Sequence, residues 1–422
     1  MGSFSSIFTG VSGINANSAK LTLIGNNVAN MNTVGFKSNR ATFADLVQSA
    51  LAPGAARPVP GGTGVAIGAA QLNYAQGPIG ASINPLDWAI DGRGFFVVKN
   101  KAGNTFYTRA GQFKLNVDAK KSRLVNLEGL TLQGFLVDAE GAIGSTAADL
   151  EIGSGLVAKA TAAVSLKANL DASVTALSGT FKSSDPTTYN FSTSQTIYDG
   201  REGNSSHTLT LYFVKTKANT WNIHAQVDGG TATTGGSLIF TEKGVLSSGD
   251  KQALSLTIPI GGTPPTTRSQ SVTLDLTGTT QYGLPSSAVV QSQDGYAAGT
   301  LETVSLGRGG ILSAHYSNQQ LQTVAQLALA SFEDPQGLLQ VGKGLLAGSE
   351  ASGAPTILAP GAQSKKTGAT VGHVQANALE QSNVDLGENF VDMIAAQLGF
   401  QANSRMIQTT DEILQVAINL KK

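Results

Sequence analysis

Residues 386–422, LGENFVDMIAAQLGFQANSRMIQTTDEILQVAINLKK, carry the pattern that decides the fold. Leu386, Met393, Phe400, Ile407 and Leu414 recur every seven residues, and Phe390, Val391, Ile394, Leu398 and Ile418 fill the adjacent rows. A period of seven predicts a helix with one apolar stripe. Roughly 35 such residues make a helix roughly 50 Å long, whose stripe has to be covered by another surface. Asp385 lies near its start, and Lys421 and Lys422 close its end, with signs that suit the helix dipole.

The opposite end of the chain carries a similar pattern. Apolar residues fall at Phe4, Ile7, Val11, Ile14, Leu21 and Val28, three or four apart except where Ser18 and Gly25 occupy the seam. Glycines at 10, 13 and 25 each cost about 1 kcal/mol of helix stability relative to alanine, so this helix needs a partner. Each stripe could pack on a globular core of its own. Their position at the two extreme ends and their common period instead predict a matched, coiled-coil-like pair.

Between the helices the period changes to that of strands. Residues 88–98 (WAIDGRGFFVV), 105–117 (TFYTRAGQFKLNV), 208–214, 221–227, 253–260 and 271–276 are short β-branched and aromatic runs separated by glycine turns. Pro- and Gly-rich sequence at 53–64 and 353–368 reads as linker. The expected fold class is therefore mainly β, with two or more β-domains in the middle of the chain and long terminal helices. The expected division is 1–35 with 380–422 as terminal helical core, 36–70 with 361–379 as connecting segment, 71–145 with 285–360 as one β-domain, and 146–284 as a second β-domain inserted into it.

Composition narrows the function. Only 13% of the 422 residues are charged and 50 are glycine, which suits turn-rich β structure. The 28 basic and 28 acidic side chains balance, so no broad positive field is present to select nucleic acid or an anionic membrane. The chain has no cysteine for disulfide, thiolate or redox chemistry. No stretch approaches the ~18 apolar residues of a membrane span. The opening MGSFSSIFTGVSGINANSAK lacks the basic region and apolar run of a Sec signal, so export would take another route.

Catalytic signatures were sought with the same criteria. GLLQVGKG at 337–344 has phosphate-loop spacing, but Gly344 stands where a magnesium-binding Ser or Thr belongs, so the segment reads as a glycine turn. DGRG at 91–94 reads as a hairpin turn. His207, His224, His315 and His373 are scattered without metal-site spacing, and no G-x-S-x-G turn is present. No catalytic, cofactor or metal residue is assigned. A β-rich adhesin, with Trp88 and Trp221 on a glycan-binding face, is a rival reading.

The termini resemble the rod, hook and hook-associated family of flagellar axial proteins. GNNVANMNTVGFKSNRATFADL, residues 25–46, is similar to that family's N-terminal signature, through Gly25, Asn26, Asn27, Asn30, Gly35, Phe36 and Lys37. Residues 379–414, beginning LEQSNVD and including Ser382, Asn383 and Val384, resemble its C-terminal one. DWAIDGRGFFVV with YTRAGQF looks like the shared β segment, and residues 294–342 are similar to the hook branch in particular. Departures are Gln319, where a glycine is usual after YSN, and Leu398 and Gly399, where the family more often has a basic residue and an aromatic or polar one.

The resemblance implies a structural subunit without catalysis, polymerising as a helical tube that serves as a flexible joint carrying torque from rod to filament. A distal rod or hook-associated junction protein is the alternative within the family. The implied partners are further copies, rod proteins, a hook cap, hook-associated proteins and the flagellar type III export apparatus, with an extracellular location. In that family an early phenylalanine followed four residues later by an apolar residue is implicated in export, which Phe4 and Phe8 match, and Phe4 also belongs to the heptad.

Overall fold

The computed structural model describes residues 2–48, 61–117, 121–138, 141–201, 203, 206–261, 266–364, 368 and 370–419. Helix α1 (Gly2–Ala29) and helix α2 (Leu386–Asn419) enclose a chain that is otherwise strands and turns. Chain contacts divide it into two units. The first comprises Met1–Ile152, Val304–Ala314 and Gln322–Lys422, and the second Gly153–Thr303 and His315–Leu321.

In the first unit the run FFVV forms the strand Phe95–Lys99, paired with Thr105–Thr108 as a hairpin and with Thr131–Val137 on its other edge. Phe95, Val97, Tyr107, Phe332, Leu338 and Leu346 close into one apolar core. Edge-on aromatic pairs fix its geometry: Tyr107 and Phe332 have ring centroids 4.8 Å apart at 85°. The segment 337–344 is a turn as expected. Leu339–Gly342 pairs with Leu345–Ala347, and Lys343 and Gly344 take φ of 56° and 70°, the mirror-image turn that suits strand twist.

The second unit is a sandwich of two five-stranded sheets. Its strands alternate as a two-residue period requires: Ala163–Asp171 buries every second side chain. Trp221, Phe213, Ile223, Leu254 and Leu274 fill the space between sheets, and Trp221 Nε1 donates to Gln281 Oε1 at 2.9 Å.

Several expectations are corrected. Residues 36–70, expected as part of a connecting segment, contain an antiparallel pair, Asn39–Gln48 with Gly61–Leu72, and Val65 N–H donates to Ser12 Oγ on α1 at 3.1 Å. Of the expected linker 53–64, residues 53–60 lie outside the described residues. The other, 353–368, contains the strand Thr356–Leu358, paired with Leu329–Ser331. The turn at 91–94 joins no hairpin, because Trp88–Asp91 pairs with His373–Ala376 and Phe95–Lys99 pairs elsewhere. The second unit extends beyond residue 284 because Ser287–Gln293 completes its sheet alongside Ala163–Asp171.

Candidate functional site

The two helices run antiparallel and meet along a seam of small and polar residues. Gly10, Gly13, Ala16, Ile24 and Asn27 are buried on α1, and Ala396 and Thr410 on α2. A Cβ on Gly13 would lie 2.6 Å from Asn403 Nδ2, and one on Gly399 would lie 2.9 Å from Asn17 Oδ1. Each asparagine is held by its own helix: Asn17 Nδ2 donates to Gly13 O and Asn403 Nδ2 to Gly399 O, both at 2.8 Å. Gly-x-x-x-Asn thus occurs once on each helix, and each asparagine fills the gap left by the other's glycine. Lys20 and Asp392 pair across the seam at 2.9 Å, and Asn27 donates to Asn389 Oδ1 at 3.3 Å.

This seam is not the one expected. Positions 10, 13, 17, 20, 24 and 27 keep the three-and-four alternation but sit one residue before 11, 14, 18, 21, 25 and 28. One residue is about 100° of helix rotation. The apolar stripes consequently lie mostly beside the seam, Ile407 excepted, whose Cγ1 would stand 2.9 Å from a Cβ on Gly10. Ile7, Ile14, Leu21, Val28, Leu386, Met393, Ile407 and Leu414 are half-buried, while Phe8, Val11, Phe390, Phe400 and Ile418 are exposed. Val391 and Leu398 are 68% and 60% exposed. Phe4 lies within α1, and its side chain is outside the described residues, as are Lys421 and Lys422. The physical reason for the rotation is approach distance. Glycine and alanine let the backbones come close, and the polar residues there bond to their own helix or, as Lys20 with Asp392 and Asn27 with Asn389, across the seam.

The signature residues sit where both helices join the first unit. Asn30 Nδ2 donates to Asn26 O at 2.9 Å as α1 ends, and exposed Gly25 has no heavy atom within 4 Å of an added Cβ. Gly35 turns the chain at φ 70°, where a Cβ would meet Ala110 N at 2.6 Å; only glycine suits both demands. Half-buried Phe36 follows. Asn27 exchanges two bonds with the backbone of Asn39, each 2.8 Å. On the C-terminal side Asn383 accepts from Ser38 N–H at 2.8 Å and donates to Asn73 O and Ala75 O. Ser382 is buried, Val384 half-buried, and Asp385 Oδ1 caps α2 by accepting from Glu388 N–H at 3.1 Å.

At the centre of this junction lies a cluster that the sequence reading did not assign. Glu380 is fully buried, accepting from Lys37 Nζ at 2.6 Å and from Arg109 Nη1 at 3.0 Å. Burial pulls the Lys37 ammonium below its ordinary value, opposed by the hydrogen bond and charge of Glu380, and burial likewise lowers Arg109. The available signal was one acid and two bases, each isolated within a quoted signature stretch.

The four histidines all lie on strands. His207 Nδ1 bonds Asp228 Oδ2 at 2.6 Å and His224 stacks on Phe181 at 4.1 Å. Trp88 and Trp221 are both fully buried, so neither tryptophan is available to a glycan-binding face.

Comparison with known proteins covers both ends of the chain and the β segments between them. Residues 7–37 match the family of flagella basal body rod proteins, 89–169 the flagellar hook protein FlgE/F/G D1 domain, 169–296 the flagellar basal body protein FlaE D2 domain, and 375–420 the flagellar basal body rod FlgEFG protein C-terminal family. The flagellar hook protein FlgE of Salmonella typhimurium is 34% identical over 421 residues, covering 97% of this chain and 98% of that protein. The chain belongs to the flagellar hook protein family. The hook proteins of Escherichia coli and Borreliella burgdorferi are 33% and 32% identical, with 97% and 99% of this chain covered and 98% and 99% of theirs. A hook protein of known structure, FlgE2 of Helicobacter pylori, overlaps 72% of this chain and all of its own at TM-score 0.49 and 14% identity. In this hook-family chain, three of the matched segments meet at one carboxylate: Lys37 from the first, Arg109 from the second and Glu380 from the last.

Proposed function

We propose that this chain is the repeating subunit of a flagellar hook, a helical tube acting as a flexible joint between rod and filament, and that it catalyses nothing. The observation carrying this reading is the outward apolar face of the helix pair. Val391, Ile394, Leu398, Ile413 and Val416 are each more than half exposed on α2, and Phe8 on α1. Exposed apolar clusters of this kind, at 391–398 and 413–416, mark an interaction surface. Each such side chain taken from water contributes about 1.5–3 kcal/mol, and further copies of the same pair can cover it. The division of labour follows: the helices form the inner polymerisation core, and the second unit forms an outer shell. Rod, cap and hook-associated proteins would meet the tube at its ends, and the subunit would leave the cell through the type III apparatus, with Phe4 and Phe8 as the export motif.

The test is Leu398→Asp. A carboxylate here costs little in the monomer, where it is solvated, and several kcal/mol at each subunit interface. Circular dichroism should show an unchanged monomer, and electron microscopy should show loss of tubes. Normal tubes from the variant would mean this face stays wet.

A further inference from the structure

Glu380 ties three stretches of chain that are far apart in sequence. Its Oε1 takes Lys37 Nζ at 2.6 Å and the Gly77 N–H at 3.0 Å, while Oε2 takes Arg109 Nη1 at 3.0 Å. Its backbone carbonyl takes the Gly35 N–H at 2.8 Å. Lys37 Nζ and Asn383 Nδ2 donate to the same carbonyl, Ala75 O, at 2.7 and 2.9 Å. Arg109 Nη2 is spent on Gly92 O at 2.8 Å, which anchors the guanidinium to the β core, and its Cζ lies 5.4 Å above the Phe95 ring.

Each of these charges is more than nine-tenths buried. A buried ion is tolerated only when paired, and removing one partner strands the others. The segment carrying Lys37 therefore cannot settle unless the segment carrying Glu380 has settled too. The arrangement stands close to both helices: α1 ends at Ala29, and α2 begins at Leu386.

We propose that Glu380 is a positioning residue for subunit assembly. By neutralising Lys37 and Arg109 together, it makes the two terminal segments order as one. Both helices then leave the β unit from a single fixed point, with their apolar faces in one register. This role rests on the assembly reading above.

The test uses the full chain with Glu380→Gln, which keeps the shape and removes the charge. Hydrogen exchange in peptides covering 35–39 and 380–384 should accelerate at least tenfold together, while peptides covering 209–227 stay unchanged. Tube yield by electron microscopy should fall at least tenfold, and Glu380→Asp should recover part of both. Lys37→Met is the gentler variant, since it leaves the Glu380 and Arg109 pair whole; it should still loosen 380–384 along with 35–39. Loosening confined to the substituted segment would overturn the coupling. Tubes of normal lattice and yield from a chain with a loosened junction would overturn the positioning role. A wild-type chain that forms no tubes would overturn the assembly reading and with it the positioning role, whereas the coupling is decided by exchange alone.

Discussion

Asn403 of α2 occupies the space that a side chain on Gly13 of α1 would need: an added Cβ would stand 2.6 Å from its Nδ2. The two glycines 13 and 25 are therefore opposites, although both interrupt the same helix. Gly13→Leu should force the helices apart and cost about 1–3 kcal/mol of pairing, as overpacking does. Gly25→Ala meets nothing within 4 Å and should add up to about 1 kcal/mol of helix stability. Helix content by circular dichroism and tube yield should move in opposite directions for the two variants.

Tyr74 gives an alkaline signature. Burial, with the nearby Asp334 charge adding to it, pushes its phenol from 10.0 up to about 12. The unfolded chain releases this proton first, so the contribution is full below pH 10 and is lost as pH climbs towards 12. Two units would correspond to about 2.7 kcal/mol, which solvent screening of a half-buried ring reduces to about 1 kcal/mol. Tyr74→Phe should flatten the decline between pH 10 and 12 by that amount. At pH 7 it should be no less stable, because Tyr74 Oη is buried without a hydrogen-bond partner among the described residues. Urea unfolding at pH 9 and pH 11.5 checks both points.

Gln319 departs from the family's glycine and is found at φ 63°, in the exposed turn where Tyr316 N–H donates to Gln320 O at 3.0 Å. A side chain in this left-handed region costs about 1 kcal/mol. Gln319→Gly should stabilise the second unit by up to about 0.6 kcal/mol after the added freedom of the unfolded glycine, and so raise its melting temperature slightly. A lower melting temperature would show that the Gln319 side chain contributes more than its backbone costs.

The second unit should be separable from assembly. Lys159 and Tyr296 form an antiparallel bridge, with N–H to O distances of 2.9 and 3.0 Å in the two directions. Replacing residues 160–295 by a short Gly and Ser linker therefore closes a gap of one strand spacing, with little loop entropy. Tubes should still form by electron microscopy, straighter or differently curved, and swimming should be impaired. A folded, secreted variant that makes no tubes would place this unit in the polymerisation core.

The sequence by itself determined the elements. The seven-residue period marked out helices that span Gly2–Ala29 and Leu386–Asn419, and short β-branched and aromatic runs between glycine turns located the strands around Phe95, Leu211, Ile223 and Leu256. Both follow from local geometry, since side-chain direction repeats at a fixed angle along one element. Local chemistry also fixed the turn at Lys343 and Gly344. Tertiary structure alone decided which helix face meets which. Periodicity gives an apolar stripe but not whether it faces a partner in the same chain or in another. Close approach at Gly13 and Gly399 shifted the seam by one residue and left most of both stripes beside it. Tertiary structure also decided the partners of Glu380. A buried carboxylate and its two cations lie 343 and 271 residues apart, a separation at which spacing carries no information and only the folded chain brings the charges together.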